Sequence, residues 1–302
     1  MDEKVLKRLA KPLIILATLI WGTSFVIMKN TLDSVPPFYL LAFRFLLAAI
    51  FLALVFMKRL RQLNKQTLIY GCIMGLVLFV AYTAQTYGLA GTTPGNNAFL
   101  TAAYCIIVPF LSWIVEKKRP DLYNILAAMF CLAGIGLVSL SSTLKVNQGD
   151  ALTLLGGFLY AVHIIAVSHF AKGRDIFVLT ILQFAVAGIL SLLFALMFNT
   201  LPTFLPHGAL SSLLFLSFAA TAGALLFQNI GQKYTEPAAA SVLLSLEAPL
   251  GVLCSILFYA ERPAARVFFG FFLIFIAVIC SETKFDFLKK GKSKEEEKSV
   301  AE

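Results

Sequence analysis

Long apolar runs separated by short polar connections divide the chain at about 13–28, 37–57, 68–90, 95–115, 122–142, 151–171, 176–198, 208–232, 237–260 and 264–281. Each approaches the roughly 20 residues that a helix needs to cross a hydrocarbon core about 30 Å thick. Charge avoids these runs. Of the 25 Lys and Arg and the 16 Asp and Glu, only Arg44 and Glu247 fall well inside one; the rest occupy connections, run edges and the two tails. A charge at the centre of a spanning helix costs at least ~2.5 kcal/mol, so this segregation is what a polytopic helical protein requires. The pattern predicts an all-α membrane protein of ten transmembrane helices with no room for a separate soluble domain. The expected divisions are a segment 1–12, five spans in 13–142, five more in 149–283 and a charged tail 284–302.

Composition agrees with this reading and excludes other classes. With 59% hydrophobic and 14% charged residues and a mean hydropathy of +0.86, the chain is more apolar than soluble proteins, which carry about 45–50% apolar and 25% charged residues. A soluble enzyme, a nucleic-acid binder and a disordered chain are excluded, and the net charge of +9 needs another explanation. Its distribution supplies one: with the N-terminus inside, alternate connections and the tails hold 20 Lys and Arg on one side, against Lys29, Lys145, Arg262 and Arg266 on the other. The positive-inside rule then places both termini in the cytoplasm of a multi-pass cell-membrane protein. All five cysteines (Cys72, Cys105, Cys131, Cys254, Cys280) fall within predicted spans and read as small core fillers, with no disulfide framework or CxxC metal site. The first run, interrupted by Trp21 and lacking a clear cleavage site, reads as a span and not as a signal peptide.

The chain repeats itself. At an offset of 139, Phe38, Leu40, Phe45 and Ala48 match Phe177, Leu179, Phe184 and Ala187; at an offset of 143, Gln85, Gly88, Thr92, Pro94, Arg119 and Pro120 match Gln228, Gly231, Thr235, Pro237, Arg262 and Pro263. Each copy holds five spans, an odd number, so the second enters the membrane from the opposite face. Inverted repeats of this kind belong to transporters whose two similar halves exchange access around a midplane site.

Several stretches carry a resemblance. They are Leu19-Ile20-Trp21-Gly22-Thr23-Ser24-Phe25, Arg44-Phe45, Gln85-Thr86-Tyr87-Gly88-Leu89 with Ala98-Phe99-Leu100-Thr101, Gln232-Lys233-Tyr234-Thr235, and Leu246-Glu247-Ala248-Pro249 through Glu261-Arg262. In order and spacing the chain, from about residue 12 to 283, resembles the EamA-type members of the drug/metabolite transporter superfamily. The resemblance implies a ten-helix inverted-repeat carrier of small metabolites, often an exporter of amino acids or related compounds; no cofactor is expected. One departure is Glu116-Lys117-Lys118-Arg119-Pro120, where many members have a Gly-Glu-Arg corner; the second half keeps it as Ala260-Glu261-Arg262.

Candidate site residues are the polar and aromatic groups that reach the midplane. Glu247 lies about 10 residues into span 9, roughly 15 Å deep at 1.5 Å per residue, and leads the set. A carboxylate there could bind an ammonium group or exchange a proton. Arg44, about 7 residues into span 2, reaches a similar level, so an ion pair with Glu247 is geometrically possible, with a structural or snorkelling arginine as the other reading. The repeat register pairs Trp21 with Tyr160, Gln85 with Gln228 and Tyr104 with Glu247; Asn97, Thr101 and Tyr104 share one helical face, as do Tyr82 with Gln85 and Tyr160 with His163. His163 is a second candidate for proton coupling. Each group alone is explained as well by hydrogen bonding between helices, but together they point to a wet cavity. Gly71, Gly75, Gly156 and Gly157 read as close helix contacts, neither His169 nor His207 has partners for a metal site, and the Lys289-Lys290-Gly291-Lys292 tail reads equally as a contact with anionic lipid or as a solvated segment.

The leading expectation is an alternating-access carrier for a small polar or amphipathic metabolite in the lipid bilayer. A multidrug or lipophilic-cation exporter is the close alternative. An intramembrane enzyme ranks lower, because there is no HExxH, no paired intramembrane Asp and no Ser with a well-placed His. Substrate, direction, coupling and oligomeric state stay open at this level.

Overall fold

The computed structural model describes residues 3–117, 119–139, 147–200, 208–262 and 264–283. Lys145, His207 and the tail from 284 lie outside them. Thirteen α-helical segments occur among the described residues. The first half comprises α1 (Glu3–Leu32), α2 (Pro37–Val55), α3 (Lys65–Ala90), α4 (Pro94–Thr101), α5 (Tyr104–Glu116) and α6 (Leu122–Ser139). The second comprises α7 (Gln148–Phe170), α8 (Ile176–Phe198), α9 (Ala209–Ser217), α10 (Ala224–Tyr234), α11 (Pro237–Leu244), α12 (Glu247–Phe258) and α13 (Ala265–Thr283). Among the described residues eight stretches are long and apolar enough to cross a membrane; the shorter apolar helices Ile125–Gly134 and Ala265–Ala277 fall at the places of the expected fifth and tenth spans. This is a polytopic membrane fold, polar within and apolar without. Leu54, Leu196, Met197, Leu257, Phe258 and Phe269 face outward, while Arg44, Gln85, Asn97, His163, Gln183, Gln228 and Glu247 are buried.

Local chemistry sets the boundaries. Pro36-Pro37, Thr93-Pro94 and Glu236-Pro237 place proline at the first helical position of α2, α4 and α11, where its missing N–H costs nothing and its fixed φ fits the helix. Asn64, Thr93, Asn147 and Asp175 cap α3, α4, α7 and α8 through their side chains.

Two features depart from the expected pattern. Residues 3–12, expected as a separate segment, continue α1: Glu3 sits in its first turn, Leu6 and Ala10 are buried, and Gly231 lets α10 come so close that a Cβ there would lie 2.7 Å from the Ala10 carbonyl oxygen. The fourth and ninth spans are each divided. Residues 102–103 and 245–246 tighten into i→i+3 bonding, as in Cys105 N to Ala102 O at 3.0 Å and Ala248 N to Ser245 O at 3.0 Å. The breaks are related by the offset of 143, so each belongs to the repeat.

Packing obeys the same symmetry. α3 lies on α7 as α10 lies on α1, α5 on α7 as α12 on α1, and α4 on α12 as α11 on α5, while α2 packs on α8 and α6 on α13. The match extends to single residues. A Cβ at Gly88 would meet Thr153 and the Gly149 carbonyl oxygen; one at Gly231 would meet Ile14 and the Ala10 carbonyl oxygen. Ile14 and Ala10 are Thr153 and Gly149 less 139. The expected close contacts at Gly71, Gly75, Gly156 and Gly157 also form, against Leu182, Gln183, Gln85 and the Thr101 carbonyl oxygen.

Two sets of connections close the ends of the bundle. On the proximal face, which holds residues 56–64, 171–175 and 235–236, Arg59 pairs with Asp175 at 2.7 Å and Lys233 Nζ donates to the Arg174 carbonyl at 2.8 Å. On the distal face, Lys29 Nζ donates to the Leu89 and Ala90 carbonyls (2.9 and 3.0 Å), Thr92 Oγ1 to Asp150 (2.6 Å) and Asn147 Nδ2 to the Gly91 carbonyl (2.7 Å). All five cysteines are free thiols, with Cys105 and Cys131 side by side.

Candidate functional site

A narrow pocket lies in the bundle interior, lined from α1, α2, α3, α4, α5, α7, α10, α11 and α12. Its cavity volume, counted as space for the centres of water molecules, is about 40 Å³. At about 10–15 Å³ for each such water, that is room for a few waters.

Most of its wall comes in repeat pairs. Trp21 faces the pocket with Tyr160, Gln85 with Gln228, and Tyr104 with Glu247, as the register predicts; Phe25 with Ile164 and Thr101 with Leu244 complete the pairs. The pocket therefore straddles the pseudo-twofold axis relating the repeats. Tyr104 and Glu247 are the first residues of α5 and α12, carried there by the two tightened turns, and Tyr104 Oη donates to Glu247 Oε1 at 2.8 Å.

A hydrogen-bonded chain fixes one wall. Tyr160 Oη donates to Gln85 Oε1 at 2.8 Å, and Gln85 Nε2 donates to Thr101 Oγ1 at 3.1 Å. Tyr82 packs edge-on against Tyr160 with ring centroids 5.3 Å apart. On the other side Trp21 Nε1 donates to the Ala220 carbonyl at 2.8 Å. Ala220 belongs to a π-helical turn, Phe218–Gly223, that joins α9 to α10 and has no counterpart in the continuous α3. Such turns expose backbone groups inside otherwise regular helices and gather at functional sites.

Arg44 and Glu247, which the sequence allows either to pair or to stand apart, hold different partners. Arg44 Nε donates to Thr221 Oγ1 in the π turn at 3.0 Å, its Nη1 approaches Met28 Sδ at 3.1 Å, and its guanidinium lies 5.0 Å from the centre of the Tyr82 ring. Glu247 is held by Tyr104 instead. Both charges line the pocket, so Arg44 is a buried pocket group and does not snorkel. Its unused N–H donors and the second carboxylate oxygen of Glu247 are available to a ligand, as is the side-chain amide of Gln228.

Two expected site residues stand outside the pocket. Asn97 is fully buried behind the wall, donating through Nδ2 to the Gln85 carbonyl at 3.2 Å and to Thr153 Oγ1 at 2.7 Å, so it ties α4 to α3 and α7. It shares a face of α4 with Thr101, but Thr101, one turn further along, reaches the pocket while Asn97 meets α3 and α7 behind it. His163 is also fully buried, with Nε2 2.8 Å from Gln183 Oε1 between α7 and α8. Ser24, Phe25, Met28, Ile164 and Leu244 line the pocket although the sequence pattern does not single them out. Ser24, Phe25 and Met28 follow Trp21 at helical spacing, a signal present in the sequence but carried by ordinary residue types.

Glu261 is likewise absent from the expected site residues. It clasps the distal face: its carboxylate accepts from Thr93 Oγ1 at 2.8 Å, from the Gly95 amide at 3.2 Å and from Ser255 Oγ, tying the α12–α13 connection to the start of α4. Among the described residues no group of His, Cys, Asp and Glu could hold a metal ion.

Comparison with known proteins agrees with this architecture. A model of the EamA-like transporter family matches residues 9–140 and again 147–283. An uncharacterized transporter of Archaeoglobus fulgidus is 34% identical over 264 residues, covering 87% of this chain and 82% of its own. The uncharacterized transporter YyaM of Bacillus subtilis is 24% identical over 275 residues, 85% of this chain and 88% of its own. A solved crystal structure superimposes with a TM-score of 0.74 at 18% identity, covering 92% of this chain and 98% of that one, which establishes the shared fold. The chain belongs to the EamA-like transporter family.

Proposed function

We propose that the protein exports a small metabolite, an amino acid or a related compound, across the cell membrane by alternating access through the axial pocket. One observation carries the reading: a guanidinium and a carboxylate, Arg44 and Glu247, line the same pocket without pairing with each other. A zwitterion offers each its complement, with the solute carboxylate toward Arg44 and its ammonium group toward Glu247. Trp21, Tyr82, Tyr104 and Tyr160 provide apolar walls for a side chain. The proximal face, with its excess of Lys and Arg, is the cytoplasmic one.

The test is flux in proteoliposomes and thermal stabilisation of the purified protein over a panel of amino acids with their methyl esters, amines and N-acetyl derivatives. Saturable flux of an amino acid, weakened at least tenfold by masking either end, is the expected result. No saturable flux for any compound, with intact protein, defeats the reading. The aromatic walls around Glu247 favour a second one, export of lipophilic cations. In that case quaternary ammonium compounds stabilise the protein, and Arg44→Gln leaves their binding intact.

A further inference from the structure

The axial pocket is lopsided. Besides the five repeat pairs it is lined by Ser24, Met28, Arg44 and Tyr82, all from the first repeat. Their counterparts, His163, Val167, Gln183 and Leu225, are each at most 1% exposed and line no part of it. Arg44 lies 7 residues into α2 from the distal end, and Gln183 lies 7 residues into α8 from the proximal end. The pocket therefore leans toward the distal face, and the mirror-image volume toward the proximal face is closed.

That closed region is rich in buried polar atoms without partners. His163 Nε2 donates to Gln183 Oε1 at 2.8 Å, which leaves His163 Nδ1 a bare acceptor and Gln183 Nε2 an unused donor. On α10, Asn229 Nδ2 donates to Thr180 Oγ1 at 3.0 Å, one turn of α8 from Gln183, but Asn229 Oδ1 has no partner; neither does Oε1 or Nε2 of Gln232. Native proteins satisfy nearly all such groups, and in a bilayer interior no solvent substitutes for a missing partner. Among the described residues five of the nine such atoms lie on α7, α8 and α10, the others being on Thr83, Thr86, Asn97 and Asn199; a conformation that admits water or a ligand to the region of His163 and Gln183 gives those five their partners.

We propose that His163 and Gln183 form a second subsite for the transported solute, closed in this structure and opened when the pocket leans toward the proximal face. The inference rests on the carrier reading above, since exchanging the conformations of the two inverted repeats puts His163 and Gln183 where Ser24 and Arg44 now stand. The pair offers an acceptor nitrogen beside an amide donor and carries no full charge. It suits the ammonium and carboxylate ends of a zwitterion, and holds the carboxylate more loosely than the guanidinium of Arg44 does.

The experiment uses the full chain in right-side-out and inside-out vesicles, with a charged, membrane-impermeant methanethiosulfonate and the unsubstituted protein as the baseline for its own cysteines. Ser24→Cys is expected to react from the distal side and Gln183→Cys from the proximal side, the latter slowed at least tenfold by a transported amino acid. Should Gln183→Cys fail to fold, hydrogen–deuterium exchange of the unaltered protein replaces it: segments 179–184 and 227–232 are expected to show a protected and an exchanging population. Saturable flux with Ser24→Cys reactive, but with Gln183→Cys inert from both sides or those segments uniformly protected, overturns the subsite and leaves the carrier standing. Absence of saturable flux for every amino acid overturns the carrier reading and the subsite with it.

Discussion

Tyr104 donates a 2.8 Å hydrogen bond to Glu247, a residue 143 positions away and its own counterpart in the repeat. Equivalent residues of two inverted halves meet only at the axis that relates them, so this bond marks the pocket as axial. The symmetry is one of position and not of chemistry, because a phenol in one half faces a carboxylate in the other. A symmetric scaffold thereby presents an asymmetric site, a property that recognition of a solute with unlike ends requires.

From this follows a graded mutational result. Glu247→Gln keeps size and hydrogen bonding but removes the charge; since hydrogen bonds to charged groups are worth about 1.5–3 kcal/mol, it is expected to weaken binding of a zwitterionic or cationic solute at least tenfold. Tyr104→Phe removes only the neighbour of the carboxylate and is expected to cost less. Exchanging the charges, with Arg44→Glu and Glu247→Arg together, is not expected to restore what either loses, because the two groups hold different partners. Ligand-dependent thermal shifts of these variants decide the matter, and recovery in the double variant would reinstate the ion pair.

Asn97→Ala separates wall from pocket. Its amide bonds the Gln85 carbonyl and Thr153 Oγ1 without reaching the pocket, so its loss leaves buried groups short of a partner at about 1–3 kcal/mol. A lowered unfolding temperature with unchanged solute affinity in the surviving folded protein is the expected outcome. Reduced affinity at unchanged stability would place Asn97 at the site after all.

The sequence exposes the scaffold more fully than the site. Run lengths, charge segregation and the offsets of 139 and 143 are properties of whole helices and survive local detail, so helix order and the pairs Trp21 with Tyr160, Gln85 with Gln228 and Tyr104 with Glu247 are legible. The destinations of Asn97 and His163 are not, because helical spacing identifies a shared face but not the neighbour that face meets. The turn at 102–103 leaves only Ala-Ala in the sequence, whereas the one at 245–246 has a signal in Pro249, which lacks the N–H that would bond the Ser245 carbonyl; the π turn, Phe218–Gly223, is spelled by ordinary residues. Glu261 escapes because its role is set by Thr93 and Gly95, brought to it across more than 160 residues by the fold.

The contact between α3 and α7 allows a sharper test of packing. A Cβ at Gly149 would lie 2.5 Å from the Gly91 carbonyl carbon, and one at Gly88 would lie 2.4 Å from Thr153 Oγ1 and 2.8 Å from its amide nitrogen. Backbone on both sides leaves no flexible side chain to give way, so the helices must separate. Gly149→Ala and Gly88→Ala are each expected to cost about 1–3 kcal/mol, the usual range for overpacking. Gly173→Ala, in open space but at φ 69°, is the control for backbone strain without a clash. Detergent-solubilised unfolding midpoints provide the comparison, and a pair of Ala variants as stable as the parent would mean that this interface is looser than described.

The Glu261 clasp joins the α12–α13 connection to the first turn of α4, where a carboxylate is favoured by the exposed amides and the helix dipole. It spans the distal face, the side toward which the pocket leans, and so tethers elements that must part for a solute to pass there. Glu261→Gln weakens the charged hydrogen bonds, and Gly95→Ala obstructs them sterically, since a Cβ at Gly95 would lie 2.7 Å from Glu261 Oε2. Both are expected to raise distal-side labelling of Ser24→Cys severalfold and to slow a complete transport cycle while leaving solute binding from the distal side intact. A static brace behaves differently: weakening it lowers the unfolding temperature and leaves the labelling rate of the folded fraction unchanged. Measuring labelling and unfolding on the same two variants separates a gate from a brace.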